Sequence, residues 1–267
     1  MTNSTRRSAL MDYVLERGAV QIDELVEAFG VSRMTVHRDL DALVRQGIVR
    51  KVRGGASALP SGLFESSFRF RMRTSVEEKK ALARAALSLI EPGQALMLDD
   101  STTVVTLAEQ LTHVTPLTVV TNSLPVIEHL QEEDEISLIS LGGRFSRNYS
   151  SFVGLSCERA IADMRVNLLF LSASAVSGTA LYHQDEETVK IKRAMMAAAE
   201  QRVLLVDHRK FETTALNRVA EMSEFDRIMT TEGIRPESET ALREAGIALE
   251  VVPLARGRSP ARTTERE

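Results

Sequence analysis

The sequence predicts an α/β protein, with a small winged helix-turn-helix domain followed by a mostly parallel α/β sheet domain. Three observations carry that expectation. Apolar residues recur at three- and four-residue steps between Thr5 and Gln46, and the steps break at Gly18 and again at Gly30. A β-branched, basic run, Ile48-Val49-Arg50-Lys51-Val52-Arg53, closes on Gly54-Gly55. From Glu77 onward, helical segments alternate with short apolar ones. The chain has 267 residues, 43% of them hydrophobic and 26% charged, which is enough for one large core or two smaller ones and excludes a disordered or fibrous protein.

The three helical stretches are set by Leu10, Val14 and Leu15, then Ile22, Leu25, Val26 and Phe29, then Val36, Leu40 and Leu43. Between the last two, Gly30 is suited to the left-handed residue that ends a helix, and Ser32 to a cap that accepts from amides near Thr35. That joint is the helix-turn-helix, and the run after Gly47 is its wing. With Val36, Leu40 and Leu43 facing the core, Arg33, Met34, His37, Arg38 and Asp41 face outward. Such a helix enters the DNA major groove by its amino-terminal residues. Arg33, His37 and Arg38 are therefore candidate base or phosphate contacts, with Ser32 and Thr35 suited to capping and phosphate contacts, and Lys51 and Arg53 reaching the flanking backbone or the minor groove from the wing. Charge agrees: residues 1–73 hold 12 Lys/Arg against 8 Asp/Glu, so on a chain of net −4 the remainder carries −8. A basic end on an acidic protein points to a polyanion partner.

The block Val31-Ser32-Arg33-Met34-Thr35-Val36-His37-Arg38-Asp39-Leu40, with Leu43, Gly47 and Gly54-Gly55-Ala56, resembles the DeoR family of bacterial transcriptional regulators. Family members usually carry an arginine pair where this chain has His37-Arg38, and a histidine where it has Arg53. Residues 57–76 show no period and contain Ser57, Pro60, Ser61 and Gly62, as a connector would.

Beyond the connector the expected order is helix Glu77–Leu89, strand Ala95–Leu98, helix Thr102–Leu111, strand Leu117–Val120, helix Leu124–Leu130 and strand Ile136–Ser140. Strand Leu168–Leu171, helix Thr188–Ala199, strands Val203–Val206 and Arg227–Met229, helix Ser238–Ala245 and strand Ala248–Val252 follow. Such alternation predicts a mostly parallel sheet covered on both faces, whose ligands sit beyond the strands' carboxyl ends. There the chain places Asp99-Asp100-Ser101-Thr102-Thr103, then Thr121-Asn122-Ser123, then Gly142-Gly143-Arg144. Hydroxyls and free amides at a helix start suit a phosphate, whereas Asp99 and Asp100 would accept from sugar hydroxyls. Glu187 and Lys190, one turn apart, form either a surface ion pair or a wall of the site. Asp207 and Lys210 follow an apolar strand, and Lys210 is a candidate phosphate or hydroxyl donor.

These motifs are similar, in order, to the effector half of the DeoR family, typically Asp-Ser-Gly-Thr-Thr, Thr-Asn-Ser, Gly-Gly and Asp-x-Ser-Lys-Phe; here Ser101 stands for the usual glycine and Arg209 for the usual serine. The resemblance implies a fold similar to ribose-5-phosphate isomerase and a phosphorylated sugar as effector. The expectation is a DNA-binding regulator of carbohydrate-metabolism genes, more often a repressor, that binds a double-stranded operator as a homo-oligomer, dimer or tetramer. An alternative is a sugar-phosphate isomerase-type enzyme with a fused DNA-binding domain. It needs a carboxylate base, and Gly142 to Asn148 offers none, leaving Asp99 or Glu187. A third is a polyanion-binding adaptor with no small-molecule response.

The expected division is 1–57 for the winged helix-turn-helix, 58–76 for the connector, 77–255 for the effector-binding and oligomerisation domain and 256–267 for a disordered tail. No cofactor is expected, and the scattered histidines form no metal motif. No apolar run reaches the roughly 18 residues of a membrane helix, and no apolar stretch follows the first residues, so a cytoplasmic protein with no membrane partner is expected. Cys157, the single cysteine, is expected to be buried.

Overall fold

The computed structural model describes residues 3–45, 49–58 and 68–254. Gly47, residues 59–67 of the expected connector and the expected tail 256–267 lie outside the described residues. The chain forms two compact units, Met1–Thr74 and Ser75–Glu267.

In the first unit, α1 (Asn3–Arg17), α2 (Ile22–Phe29) and α3 (Arg33–Arg45) bury Leu10, Val14, Leu25, Val36, Leu40 and Leu43 in one core. The three stripes read from the sequence thus meet one another. Gly30 ends α2 in the left-handed conformation, φ 61°, and its N–H donates to the Val26 carbonyl at 2.9 Å. Ser32 then accepts from the Thr35 amide at 3.2 Å, so both halves of the joint are capped as the residue types require. A three-stranded sheet of β1 (Ala19–Gln21), β2 (Val49–Val52) and β3 (Gly55–Ala58), in the order β1-β3-β2, forms the wing. The sequence predicted its hairpin but not β1, which at three residues is too short to show a period. A six-residue helix, α4 (Phe68–Arg73), falls inside the expected connector for the same reason.

The second unit is built on seven parallel strands: β4 (Ala95–Leu98), β5 (Leu117–Thr121), β6 (Ile136–Ser140), β9 (Val166–Leu171), β12 (Ala199–Leu205), β14 (Arg227–Thr231) and β15 (Leu249–Val252). Their order is β15-β14-β12-β9-β4-β5-β6, every pair parallel. The chain starts at β4, steps outward to β5 and β6, then returns to the other side of β4 with β9. The carboxyl ends of β4 and β9 are therefore the topological switch point.

Right-handed crossovers place helices reached in opposite directions on opposite faces. Thus α6 (Thr102–Ala108) and α7 (Leu124–Leu130) cover one face, and α9 (Glu186–Ala198) and α10 (Pro236–Glu244) the other. Helix α5 (Val76–Leu87) packs on α6, and α8 (Leu155–Ala162) on α9. Central strands buried on both faces read as continuous apolar runs, such as Leu168 to Leu171, which is why the sequence located them. It missed the hairpin β7 (Arg144–Ser146) and β8 (Ser151–Val153). It also missed the small antiparallel sheet of β10 (Ala175–Ser177), β11 (Ala180–His183) and β13 (Asn217–Glu221). These strands are short and mixed in polarity.

Candidate functional site

The first unit presents α3. Arg33, Met34, His37 and Arg38 are exposed while Val36, Leu40 and Leu43 are buried, so the outward set expected from the period faces solvent, apart from Asp41, which is half-buried. Ion pairs then divide the candidates. Arg33 pairs with Asp23 of α2. Lys51 pairs with Asp41 at 2.6 Å, and its hydrogen bond holds the Asp41 carboxyl below the usual range. Lys51 therefore braces the wing against α3 where an extended reach was expected. His37, Arg38 and Arg53 are exposed, and among the described residues none of the three has an ion-pair partner.

Sequence reasoning missed Asp39, which is 1% exposed inside α3. It accepts from Arg6 Nε of α1 at 2.8 Å and lies 3.6 Å from Arg7 Nη2. The pair ties the exposed helix to the one behind it. A signal was present, since Val36, Asp39, Leu40 and Leu43 keep the i, i+3, i+4, i+7 spacing of a buried stripe.

In the second unit the switch point holds a buried cation. Lys192, on α9 and 2% exposed, pairs with Asp99 Oδ2, donates to the Ser172 carbonyl at 3.1 Å and lies 3.6 Å from Asp100 Oδ1. The other contacts of Asp99 are also internal: Oδ1 accepts from the Ser101 amide and Oδ2 from the Ser172 amide, each at 2.9 Å. Asp100 accepts from the Ser151 hydroxyl at 2.8 Å. The two aspartates thus lock β4 to β9, α9 and β8, where ligand hydroxyls were the expected donors. Lys192, Ser151 and Ser172 were not read from the sequence. Lys192 had the same signal as Asp39, for it falls on the buried stripe Thr188, Ile191, Lys192, Met195 and Met196.

Around this knot the adjacent ends of β4, β5 and β6 bring together the first three candidate loops. Ser101 caps α6 by accepting from the Val104 amide at 3.3 Å. The amides of Thr102 and Thr103, as first helical residues, have no intrahelical acceptor. Thr121 donates its hydroxyl to the Leu98 carbonyl at 2.8 Å and accepts from the Ser123 amide at 3.0 Å, so it joins two strand ends. Asn122 donates to the Phe152 carbonyl at 2.9 Å. Its Oδ1, and the Ser123 hydroxyl, are buried without a hydrogen-bond partner. Such orphans cost about 1–3 kcal/mol each unless a ligand or water satisfies them.

Gly142 is open, but a Cβ on Gly143, φ 148°, would stand 2.6 Å from the Val153 carbonyl oxygen, so this loop has room only for glycine against β8. Lys210 lies two strands away on the other side of β4, half-buried in the 3-10 turn His208–Glu212 capped by Asp207. Glu187 and Lys190 do not pair with each other: Glu187 meets Arg144, and Lys190 meets Glu186 one turn back.

Cys157 is fully buried in α8, and burial first, then the charge of Asp100, push its thiol up to about 12. Near pH 8 the native thiol stays protonated, and iodoacetamide is expected to label it only after denaturation. Labelling of the native protein at the rate of a free thiol would contradict that. Among the described residues, no helix is long and apolar enough to cross a membrane, and no group of three His, Cys, Asp or Glu is placed to hold a metal ion.

Comparison with known proteins agrees with both halves. Residues 6–61 match the DeoR-like helix-turn-helix domain and residues 74–232 the DeoR C terminal sensor domain. The HTH-type transcriptional regulator YgbI of Escherichia coli (strain K12) is 33% identical over 91% of this chain and 96% of its own. The glycerol-3-phosphate regulon repressor of the same organism is 31% identical over 86% and 91%. The HTH-type transcriptional repressor GlcR of Bacillus subtilis (strain 168) is 30% identical over 86% and 89%. Among solved structures, ribose 5-phosphate isomerase A from Methanocaldococcus jannaschii aligns with 50% of this chain and 53% of its own at 18% identity and a TM-score of 0.36, a likeness too partial to carry function. With a family domain matched over each half and full-length relatives of this similarity, the chain belongs to the DeoR family of DNA-binding transcriptional regulators.

Proposed function

We propose that this regulator is a repressor of carbohydrate-metabolism genes whose operator affinity is set by a phosphorylated sugar bound at the carboxyl end of the seven-stranded sheet. The supporting observation is the switch point itself, where Asn122 Oδ1 and the Ser123 hydroxyl are buried without partners beside a pinned Asp99-Asp100-Lys192 knot. The effector would meet Ser101, Thr102, Thr103, Asn122, Gly142 and Gly143, with Lys210 closing from the far side. Asp99, Asp100 and Thr121 would hold that frame in shape. Relatives named as repressors, one of them of a glycerol-3-phosphate regulon, favour this reading, and regulators among the relatives mark the chain as a non-enzyme.

On the DNA side, Ser32, Arg33, Thr35, His37, Arg38, Lys51 and Arg53 form the proposed operator face, with Arg38 its main reader. The proposed division is 1–57, connector 58–76, effector domain 77–255 and tail 256–267, in a cytoplasmic homo-oligomer. An effector shifts operator affinity only by binding two arrangements of the protein unequally, with a typical coupling of about 1–3 kcal/mol.

Fluorescence anisotropy with DNA from upstream of the protein's own gene, at fixed salt, with and without a panel of sugar phosphates, tests this. Tight binding that one sugar phosphate shifts is the expected result; specific binding that none of them moves would favour a plain adaptor. Arg38→Ala should weaken operator binding about 10- to 100-fold, the worth of a bidentate base contact, with effector affinity changed only through linkage. Thr102→Val or Lys210→Ala should do the reverse. Equal damage to both functions from either class would refute separate sites.

A further inference from the structure

Strand β6 ends the seven-stranded sheet. An edge strand offers unpaired N–H and C=O groups to any extended chain that fits it, and isolated proteins close such edges with lysine, proline, charge or a bulge. Ile136-Ser137-Leu138-Ile139-Ser140 carries no lysine, proline or charge, and it pairs with β5 in unbroken register. The Leu117 amide donates to the Glu135 carbonyl, and the Leu141 amide to the Thr121 carbonyl. By alternation, Ser137 and Ile139 turn their backbone groups toward β5, and Leu138 and Ser140 turn theirs outward. Ser137, Ile139 and Ser140 are exposed, Ile139 by 38%.

The flanks of the strand are opposite in charge. Glu132, Glu133, Asp134 and Glu135 precede it, and Arg144 and Arg147, both exposed, follow it. A parallel pairing of two such edges sets four carboxylates of one copy beside four of the other. An antiparallel pairing sets acid against base.

We infer that β6 pairs antiparallel with β6 of a second copy, about a twofold axis at Leu138, so that one sheet runs through the dimer. Leu138 lies opposite itself, Ile136 opposite Ser140, Ser137 opposite Ile139 and Glu132 opposite Arg144. The outward amides of Leu138 and Ser140 gain partners, and the two Ile139 side chains become diagonal neighbours on one face. Arg144, which meets Glu187 within its own chain, keeps an exposed flank for Glu132. The contact is isologous and closed, as a twofold operator requires of its protein. It deepens the proposed homo-oligomer by naming its surface.

Sedimentation of the full-length protein tests it. The wild type is expected as a dimer or a multiple of one. Ile139→Lys puts a charge on the seam at a site exposed in the single chain, and is expected to halve the mass with the circular dichroism unchanged. Hydrogen exchange at Leu138 and Ser140 should be slow in the wild type and fast in the variant. Glu132→Arg should weaken association about fivefold, and the double variant Glu132→Arg/Arg144→Glu should restore it. A wild-type monomer overturns the oligomer and this surface together. A wild-type oligomer whose mass survives Ile139→Lys, with both amides exchanging freely, overturns the surface alone. Failure of the charge swap to restore association overturns the antiparallel register.

Discussion

Lys192→Met is expected to destabilise the sensor domain by about 3–5 kcal/mol and to abolish any effector response. Methionine fills the same space on the buried stripe of α9, so the loss is electrostatic rather than steric. It leaves Asp99 and Asp100, 1% and 3% exposed, without their cation in the interior. It also removes the donor to the Ser172 carbonyl and so loosens the junction of β4 with β9. Chemical denaturation measures the stability, and the anisotropy titration measures the response. Adding Asp99→Asn to Lys192→Met should recover part of the loss, because the second change removes one of the stranded charges, and the two effects should be strongly non-additive. A cost below about 1 kcal/mol for Lys192→Met would mean the two carboxylates do not depend on it.

Asp39→Ala is expected to cost the winged helix-turn-helix unit about 3 kcal/mol and operator binding with it. Arg6 is only 11% exposed, so the substitution takes a carboxylate away from a largely buried guanidinium between α1 and α3. The substitution touches no residue of the proposed DNA face, so any loss of binding should follow the loss of fold. Cooling the assay or adding a stabilising osmolyte should restore binding to Asp39→Ala and leave Arg38→Ala unchanged. Should Asp39→Ala bind normally and melt normally, the ion pair would have no part in holding α3.

Most secondary structure was legible in the sequence because it is written locally. Gly30 and Ser32 end one helix and start the next through bonds spanning three or four residues. The apolar runs of β4, β5 and β9 are central strands, and their burial on both faces leaves no polar alternation to obscure them. The helix-turn-helix, the parallel sheet and the loops at its carboxyl end all follow from such patterns. The short strands β1, β7, β8, β10, β11 and β13 did not show, since a few residues of mixed polarity carry no period. They exist because long-range partners pair with them, as Ala19 to Gln21 do with Gly55 to Ser57.

The sequence by itself determined the helices of the helix-turn-helix, the central strands of the parallel sheet, and which strand ends carry hydroxyls and glycines. Tertiary structure alone decided which charges are spent inside the protein. Asp39 meets Arg6 across 33 residues and Lys192 meets Asp99 across 93, while Arg33 and Lys51 stay exposed in surface ion pairs with Asp23 and Asp41. The reason is physical: helical and strand periods are short-range and fix which way a side chain faces, whereas a buried charge is tolerable only beside an opposite one, and strand order, not sequence distance, determines which two meet.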